Sequence, residues 1–355
     1  MSYIVQSDFD GDGLHAAIDS DSDGDGYCDD QEEGYLGNGK VHNCERFDAS
    51  RYPKDVNPKC MDFSVALLAK ERLLLNDRSS CVSLNGSLCS VASYGIDYDG
   101  IYGVGLGVDA TIGNIYSAKS ILLRDRAKVY GNVETEGSVV RQSSAVQISG
   151  TVIENSNRYD SYASRYGAIL DNAITNSPTF IVINKKVINS GKGVIWEKTG
   201  KFSFTEYIFN SGSELSFSQG GEFYVGSLVF QKGAKLNMPV DASIAFHIGE
   251  EFQWNGTVVA NDMVAAAQHL KIYYYGTKRV YVQTDFAGTI VAPNAEVVVG
   301  QSGKNFYGTI YAKSIVVHQN TKVTWVPFKE NTSNSVLAGI GNDVMSDYTI
   351  SFLAE

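Results

Sequence analysis

The chain has 355 residues, 43% of them hydrophobic, and a formal charge of −11 at pH 7. That length supports a large core, no apolar run reaches the ~18 residues of a membrane span, and 35 Gly and 21 Tyr against six Pro fit a turn-rich β protein. Residues 1–33 hold 11 acidic side chains and no Lys or Arg, so the remainder carries 40 − 11 = 29 acids against 29 bases, which leaves no basic excess for nucleic acid.

Within residues 8–33 one frame, Asp21, Asp23, Asp25, Gly26, Asp29 and Glu32, follows the calcium-loop pattern D-x-D-x-D-G-x5-E. Ca²⁺ takes about six to eight oxygens: the three aspartates supply three, the Tyr27 carbonyl another, Asp29 one through water, and Glu32 two. A second frame comprises Asp8, Asp10, Asp12, Gly13 and Asp19, and an overlapping one runs from Asp19 to Asp30, so two ions could share carboxylates. The alternative is a disordered acidic tail, yet scattered charge does not set Gly after every third Asp. Without the ion, these carboxylates would repel and unfold the segment.

Five cysteines (Cys28, Cys44, Cys60, Cys81 and Cys89) all precede residue 90. Together with the calcium-type sequence they point to an oxidising compartment and one or two disulfides, and Cys81 with Cys89 would close a short loop around Asn85-Gly86. Five unpaired thiols is the other reading. Met1–Gln6 is too short for a signal peptide, so a secreted form would be a mature or trimmed one.

Residues 34–60 are aperiodic and read as a linker or small cysteine-stapled cap. Met61–Leu75 has helix-compatible composition, but Leu73-Leu-Leu-Asn-Asp-Arg78 matches Ile121-Leu-Leu-Arg-Asp-Arg126, which lies in a strand-and-turn pattern. That pattern recurs as Ser120-Ile-Leu-Leu through Val129, Ser227-Leu-Val-Phe through Leu236, and Ser314-Ile-Val-Val through Val323, with a Lys at the same position in all three. Such a Lys is expected on a solvated face. Tyr207-Ile-Phe-Asn-Ser-Gly precedes Leu228-Val-Phe-Gln-Lys-Gly by 228 − 207 = 21 residues.

Residues 157–178 break the period and read as a linker between two coil sections, and Asn261–Leu270 carries a cap and helix formers. Phe286-Ala-Gly-Thr-Ile-Val-Ala is then answered by Phe306-Tyr-Gly-Thr-Ile-Tyr-Ala, 306 − 286 = 20 residues on, each copy followed by alternating β-branched residues. Repeats of this length mean a unit that must stack on its neighbour to bury its apolar face. The expected fold is therefore all-β: a right-handed parallel β-helix with an N-terminal calcium-binding segment and a C-terminal strand-like tail. Its divisions are 1–33, 34–96, 97–156, 157–178, 179–327 and 328–355. Glycines or φ > 0 residues mark the corners.

Catalysis would need acids gathered in one groove; Asp97 with Asp99, Glu250 with Glu251, and His247 are the candidates, each equally explained as a corner or solvated face. The five histidines lack zinc spacing. Tyr273, Tyr275 and Tyr281 share one parity and could form a row of rings for stacking on sugars, although ordinary sheet packing also explains them.

The segment Gly113-Asn-Ile-Tyr-Ser-Ala-Lys-Ser-Ile-Leu-Leu through Val133 resembles the bactofilin repeat, residues 286–326 resemble the terminal domain of secreted bacterial choice-of-anchor and fibro-slime proteins, and the acidic segment resembles thrombospondin type 3 calcium repeats. These resemblances imply a non-enzymatic β-helix at a bacterial surface. The sequence therefore leads to a secreted, calcium-stabilised structural protein that self-associates into fibres or contacts other surface proteins. A polysaccharide-binding adhesin is the alternative. Because a coil has two open ends, both terminal segments are candidates for capping or joining them.

Overall fold

A computed structural model describes residues 65–84, 89–95, 99–156, 185–196, 201–239, 242–300 and 303–328. The chain winds into a parallel β-solenoid of about ten turns, and each turn contributes up to three short strands. Because every strand pairs with the strands one turn away, the backbone N–H and C=O groups are satisfied between turns, ~4.8 Å apart.

The strands stack into three ladders. Ladder I begins with Lys185–Ile188 and takes the second halves of Lys201–Phe209, Gly221–Phe230 and Ile244–Trp254, then Val280–Val282 and the ends of Phe286–Val299 and Asn305–Val317. It continues without a break into Val65–Leu75, Tyr102–Leu106, Ser120–Leu123 and Val139–Arg141. Ladder II is built from the first halves of the same long strands with Leu270–Tyr274, Ser90–Ser93, Ile115–Ser117, Val133–Thr135 and Val152–Ile153. Ladder III holds Glu214–Phe217 and its neighbours at one end and Lys322–Trp325, Ser80–Ser83, Thr111–Ile112, Lys128–Val129 and Gln147–Ile148 at the other.

Matching positions of successive turns form continuous apolar piles. In ladder I one runs Phe209, Phe230, Trp254, Val282, Val299, Val317, Leu75, Leu106 and Leu123, all buried. Phe209 stacks on Phe230 at 4.5 Å between ring centroids, and Phe230 lies at 4.5 Å from Trp254. Phe286 is paired with Phe306, and Tyr207 with Leu228, as the repeat spacing requires. In the strand Val65–Leu75, Leu73 and Leu75 point inward, so the internal match to Ile121–Leu123 outweighs the helix-forming composition.

The order of the turns differs from the order of the chain. The block from Val65 to Ile153 winds from the middle of the stack to one end, and the block from Lys185 winds from the opposite end back to the middle, where Asn305–Val317 pairs with Val65–Leu75. Residues 157–184, outside the described residues, join the two ends. The expectation that the terminal segments cap the open ends falls on residues outside the described ones. Val326, whose N–H donates to the Gly308 carbonyl, and Val65 both lie at mid-stack, because the chain's first described strand fills the rung above its last long one.

One corner carries a positive-φ residue turn after turn. Gly212 and Gly233 stand there at φ 75° and 88°, and Asn320, Arg78, Asp109 and Arg126 at 55–58°. Each is followed by a small buried residue, such as Ser213, Ala234 or Ala127. Two non-glycine pairs stabilise the corner from outside: Arg78 Nε donates to Asn320 Oδ1 at 2.7 Å, and Arg126 donates to Asp109. That guanidinium holds the exposed Asp109 carboxyl below its usual range.

The helix expected over 261–270 spans Met263–His269, with the Asp262 side chain accepting from Val264 N–H. It packs on Phe286–Val299 and Asn305–Val317. The three repeated lysines (Lys128, Lys235 and Lys322) all stand on the outer side of ladder III, and Lys235 pairs with Glu214 at 2.7 Å.

The F-x-G-T-I-x-A frame has a steric origin. Gly308 adopts φ 139°, and a Cβ there would lie 2.0 Å from the Gly288 carbonyl oxygen of the turn below. Gly308→Ala should therefore cost about 3 kcal/mol or more. Gly191→Ala, with nothing within 4 Å but φ 74°, should cost only about 1 kcal/mol in chemical denaturation. Equal losses would contradict this packing.

Candidate binding face

Alternation along ladder I puts every second residue inside, yet the outward residues between them are also apolar. Ile208, Val229, Val298, Val316, Leu74, Leu122 and Val140 fall in one outward column, interrupted by Gln253, Tyr281 and Gly105. An outward apolar stripe of this length is not needed for the core, whose own columns are complete. Val298 and Val229 are buried at 6% and 7% exposure, Ile208, Val316, Leu74, Leu122 and Val140 are half-buried, and the stripe opens to 39% at Tyr281 and 42% at Val187 at its end.

Polar columns border the stripe on both sides. One contains Glu206, Ser227, Glu251, Glu296, Ser314 and Arg72. Its charges are internally matched: Lys278 Nζ lies 3.0 Å from Glu251, while Arg279 and Arg72 lie 2.6 and 3.6 Å from Glu296. The other column follows the last strand residue and reads Asn210, Gln231, Asn255, Gln283, Gly300, His318, Asn76, Gly107, Arg124 and Gln142, each backbone N–H donating to the carbonyl one turn away.

Ladder II carries a different feature. Tyr224, His247 and Tyr273 occupy one outward column and stack at 4.5 and 4.8 Å, close to parallel. Tyr275 Oη and His247 Nδ1 are 2.8 Å apart, and Tyr224 Oη donates to Glu222 at 2.8 Å. Burial, then the Glu222 hydrogen bond and charge, push the Tyr224 phenol up; burial, then Tyr273 and Glu222, do the same for Tyr275. Burial also pushes the inward Tyr274 up to about 12.

This geometry divides the row of Tyr273, Tyr275 and Tyr281. The first two meet around His247, whereas Tyr281 pairs with Gln253 on ladder I, because the corner at Gly276–Arg279 separates their strands. One face of Tyr273 lies on His247, and the Lys271 ammonium stands 5.0 Å from its centroid. Those contacts occupy ring surface that stacking on a sugar would require.

The catalytic candidates are likewise not gathered. His247 is held in the ring stack, Glu251 by Lys278, and Asp99 is exposed on a different turn; Asp97 lies outside the described residues. Cys81 and Cys89 are disulfide-bonded with Cα atoms 5.7 Å apart. Cys28, Cys44 and Cys60, and every proposed calcium ligand from Asp8 to Glu32, lie outside the described residues. Among the described residues no cluster of three or more His, Cys, Asp or Glu could hold a metal ion, and no helix is long and apolar enough to cross a membrane. The apolar stripe itself escaped the sequence reading. Its signal was present in the runs Ile121-Leu-Leu, Leu228-Val-Phe and Ile315-Val-Val, whose middle residue exceeds what one inward face needs.

A parallel solenoid that presents a long bordered apolar sheet face defines a surface-binding module. Residues 81–325 match the family described as "Putative Ice-binding-like adhesive domain". They are 325 − 80 = 245 of the 355 residues, and the chain belongs to that family. Among solved structures it is similar to the ice-binding protein from an Antarctic ascomycete, Antarctomyces psychrotrophicus, with 11% sequence identity and a TM-score of 0.29, over 78% of this chain and 99% of that one. No curated protein matches it.

The raised tyrosines define a pH dependence. A phenol whose folded value lies above its unfolded value of about 10 stabilises the fold fully below pH 10 and ceases to do so as pH rises through the folded value. Stability should therefore decline from about pH 10 upward, with Tyr274 ionising near 12 and Tyr224, Tyr275 and Tyr207 still later. Spectrophotometric titration of the phenolates should resolve this late group. Ionisation of every tyrosine at about 10 would contradict the described packing.

Proposed function

We propose that the protein is a secreted adhesive module of a cell surface or extracellular matrix, and that it attaches to extended surfaces through the outward side of ladder I. The observation that carries this reading is the stripe from Ile208 to Val140: surplus apolar residues in register over successive turns, on a chain of an adhesive family. Contacts of this kind are individually weak and gain strength by repetition along a rigid scaffold. The work asked of the protein is binding, which fits the dispersed placement of its acids and histidines.

One end of the stack, that reached by the block from Val65 to Ile153, does not favour growth into fibres. Its last strands are only two or three residues long, and Glu154 Oε1 accepts the Val139 N–H that a further turn would need. In the same reading, the segment from Asp8 to Glu32 binds calcium, supported by its sequence frame; calorimetric titration of the chelated full chain with Ca²⁺ tests it, and an absence of heat would refute it.

The adhesive face is tested by Ile208→Lys combined with Leu122→Lys, both at outward positions. Attachment to the native surface should fall by at least about tenfold, equivalent to about 1.4 kcal/mol, with the melting temperature little changed. Lys322→Ser on ladder III should leave attachment intact. If the ladder III variant lost attachment and the ladder I variant kept it, the face would be misassigned.

A further inference from the structure

Resting on the adhesive reading of ladder I, we infer that its ligand is an uncharged, hydroxyl-rich polymer surface, of which an ordered neutral polysaccharide is the chemical type. Three independent features of the face select this class.

The first is electrostatic. Along the first border Glu251 is matched with Lys278 and Glu296 with both Arg279 and Arg72, Glu71 at the neighbouring corner is held by Lys313 at 3.3 Å, and the second border adds the exposed Arg124 to a column otherwise made mostly of uncharged residues. A phosphate-rich or carboxylate-rich partner would have to compete with these pairs. The chain beyond residue 33 has no basic surplus to reward it, since its acids and bases number 29 each. Anionic membranes and nucleic acids both demand such a surplus.

The second is the pairing chemistry of the borders. Asn210, Gln231 and Gln283 on one side present amides, each both donor and acceptor, and Ser227 and Ser120 on the other present hydroxyls. Groups that donate and accept without charge match hydroxyls, which do the same. The aliphatic middle, Ile208, Val316 and Leu122, suits the C–H faces of pyranose rings.

The third is the repeat. Rungs recur every ~4.8 Å in a straight row, close to the advance of successive sugar units in an extended glycan. Contacts made at one rung can therefore be made again at the following ones, and a rigid ligand loses little freedom in making them. A folded protein partner offers no such row.

The experiment is co-sedimentation of the full chain, in calcium-containing buffer, with microcrystalline cellulose, with calcium-alginate beads and with phosphatidylserine vesicles. The inference expects retention on cellulose that changes less than about twofold between about 0.05 and 0.5 M salt, because screening acts on exposed charges and not on this face. Ile208→Lys with Leu122→Lys should reduce it at least about tenfold, and Lys322→Ser should not. Failure to bind cellulose, or retention only on alginate or vesicles that collapses with salt, overturns the ligand class. In that case, loss of the remaining attachment by the ladder I variant would show that the face stands. Cellulose binding unaffected by the ladder I variant overturns the face and the inference together.

Discussion

The structure depends on one pairing, that between the first described strand, Val65–Leu75, and the last long one, Asn305–Val317. Leu67 to Ala69 pair with Ile310 to Ala312, and Arg72 to Leu75 with Ser314 to Val317, so the backbone ladder crosses the seam as it crosses every other turn. Without it, each block would expose a full rung of unpaired N–H and C=O groups and the cut end of an apolar core. The polar contacts at the seam, Glu71 with Lys313 and Arg78 with Asn320, are exposed or part-exposed and worth at most about 1 kcal/mol each. Backbone pairing and the burial of Val317 against Leu75 do most of the holding.

The same ladder that builds the core builds the face proposed for binding. Since alternate residues of a strand point to opposite sides, the register that stacks Phe230 on Phe209 also places Val229 beside Ile208 on the outside. A rigid interior is thereby copied as a regular exterior. The proposed role draws on that repetition and on no strained residue or buried charge.

Much of this was legible in the sequence because the repeat is local. A 20-residue period foretells that Phe306 lies above Phe286, and the same comparison places Leu73–Leu75 in a strand. The order of the turns was not legible. Arg78 and Asn320 are 242 residues apart, and no local propensity records which winding lies against which. The frame shared by Leu73-Leu-Leu-Asn-Asp-Arg and Ile315-Val-Val-His-Gln-Asn reveals membership of one ladder without revealing adjacency. The tyrosine row failed for a related reason: parity holds only along an unbroken strand, and a corner intervenes before Tyr281. Similarly, a run of three apolar residues does not by itself disclose that its middle member, Leu122 or Val316, belongs to the outside.

The mid-stack position of Val65 and Val326 has a mechanical consequence. A tether attached near either residue meets the body at its waist, so a load applied there reaches the proposed face across the ladders instead of along the axis. Tension of that kind is shared among strands on both sides of the seam, whereas pulling from an end would peel one rung at a time. A body so suspended can lie lengthwise on whatever it grips, with both arms in contact.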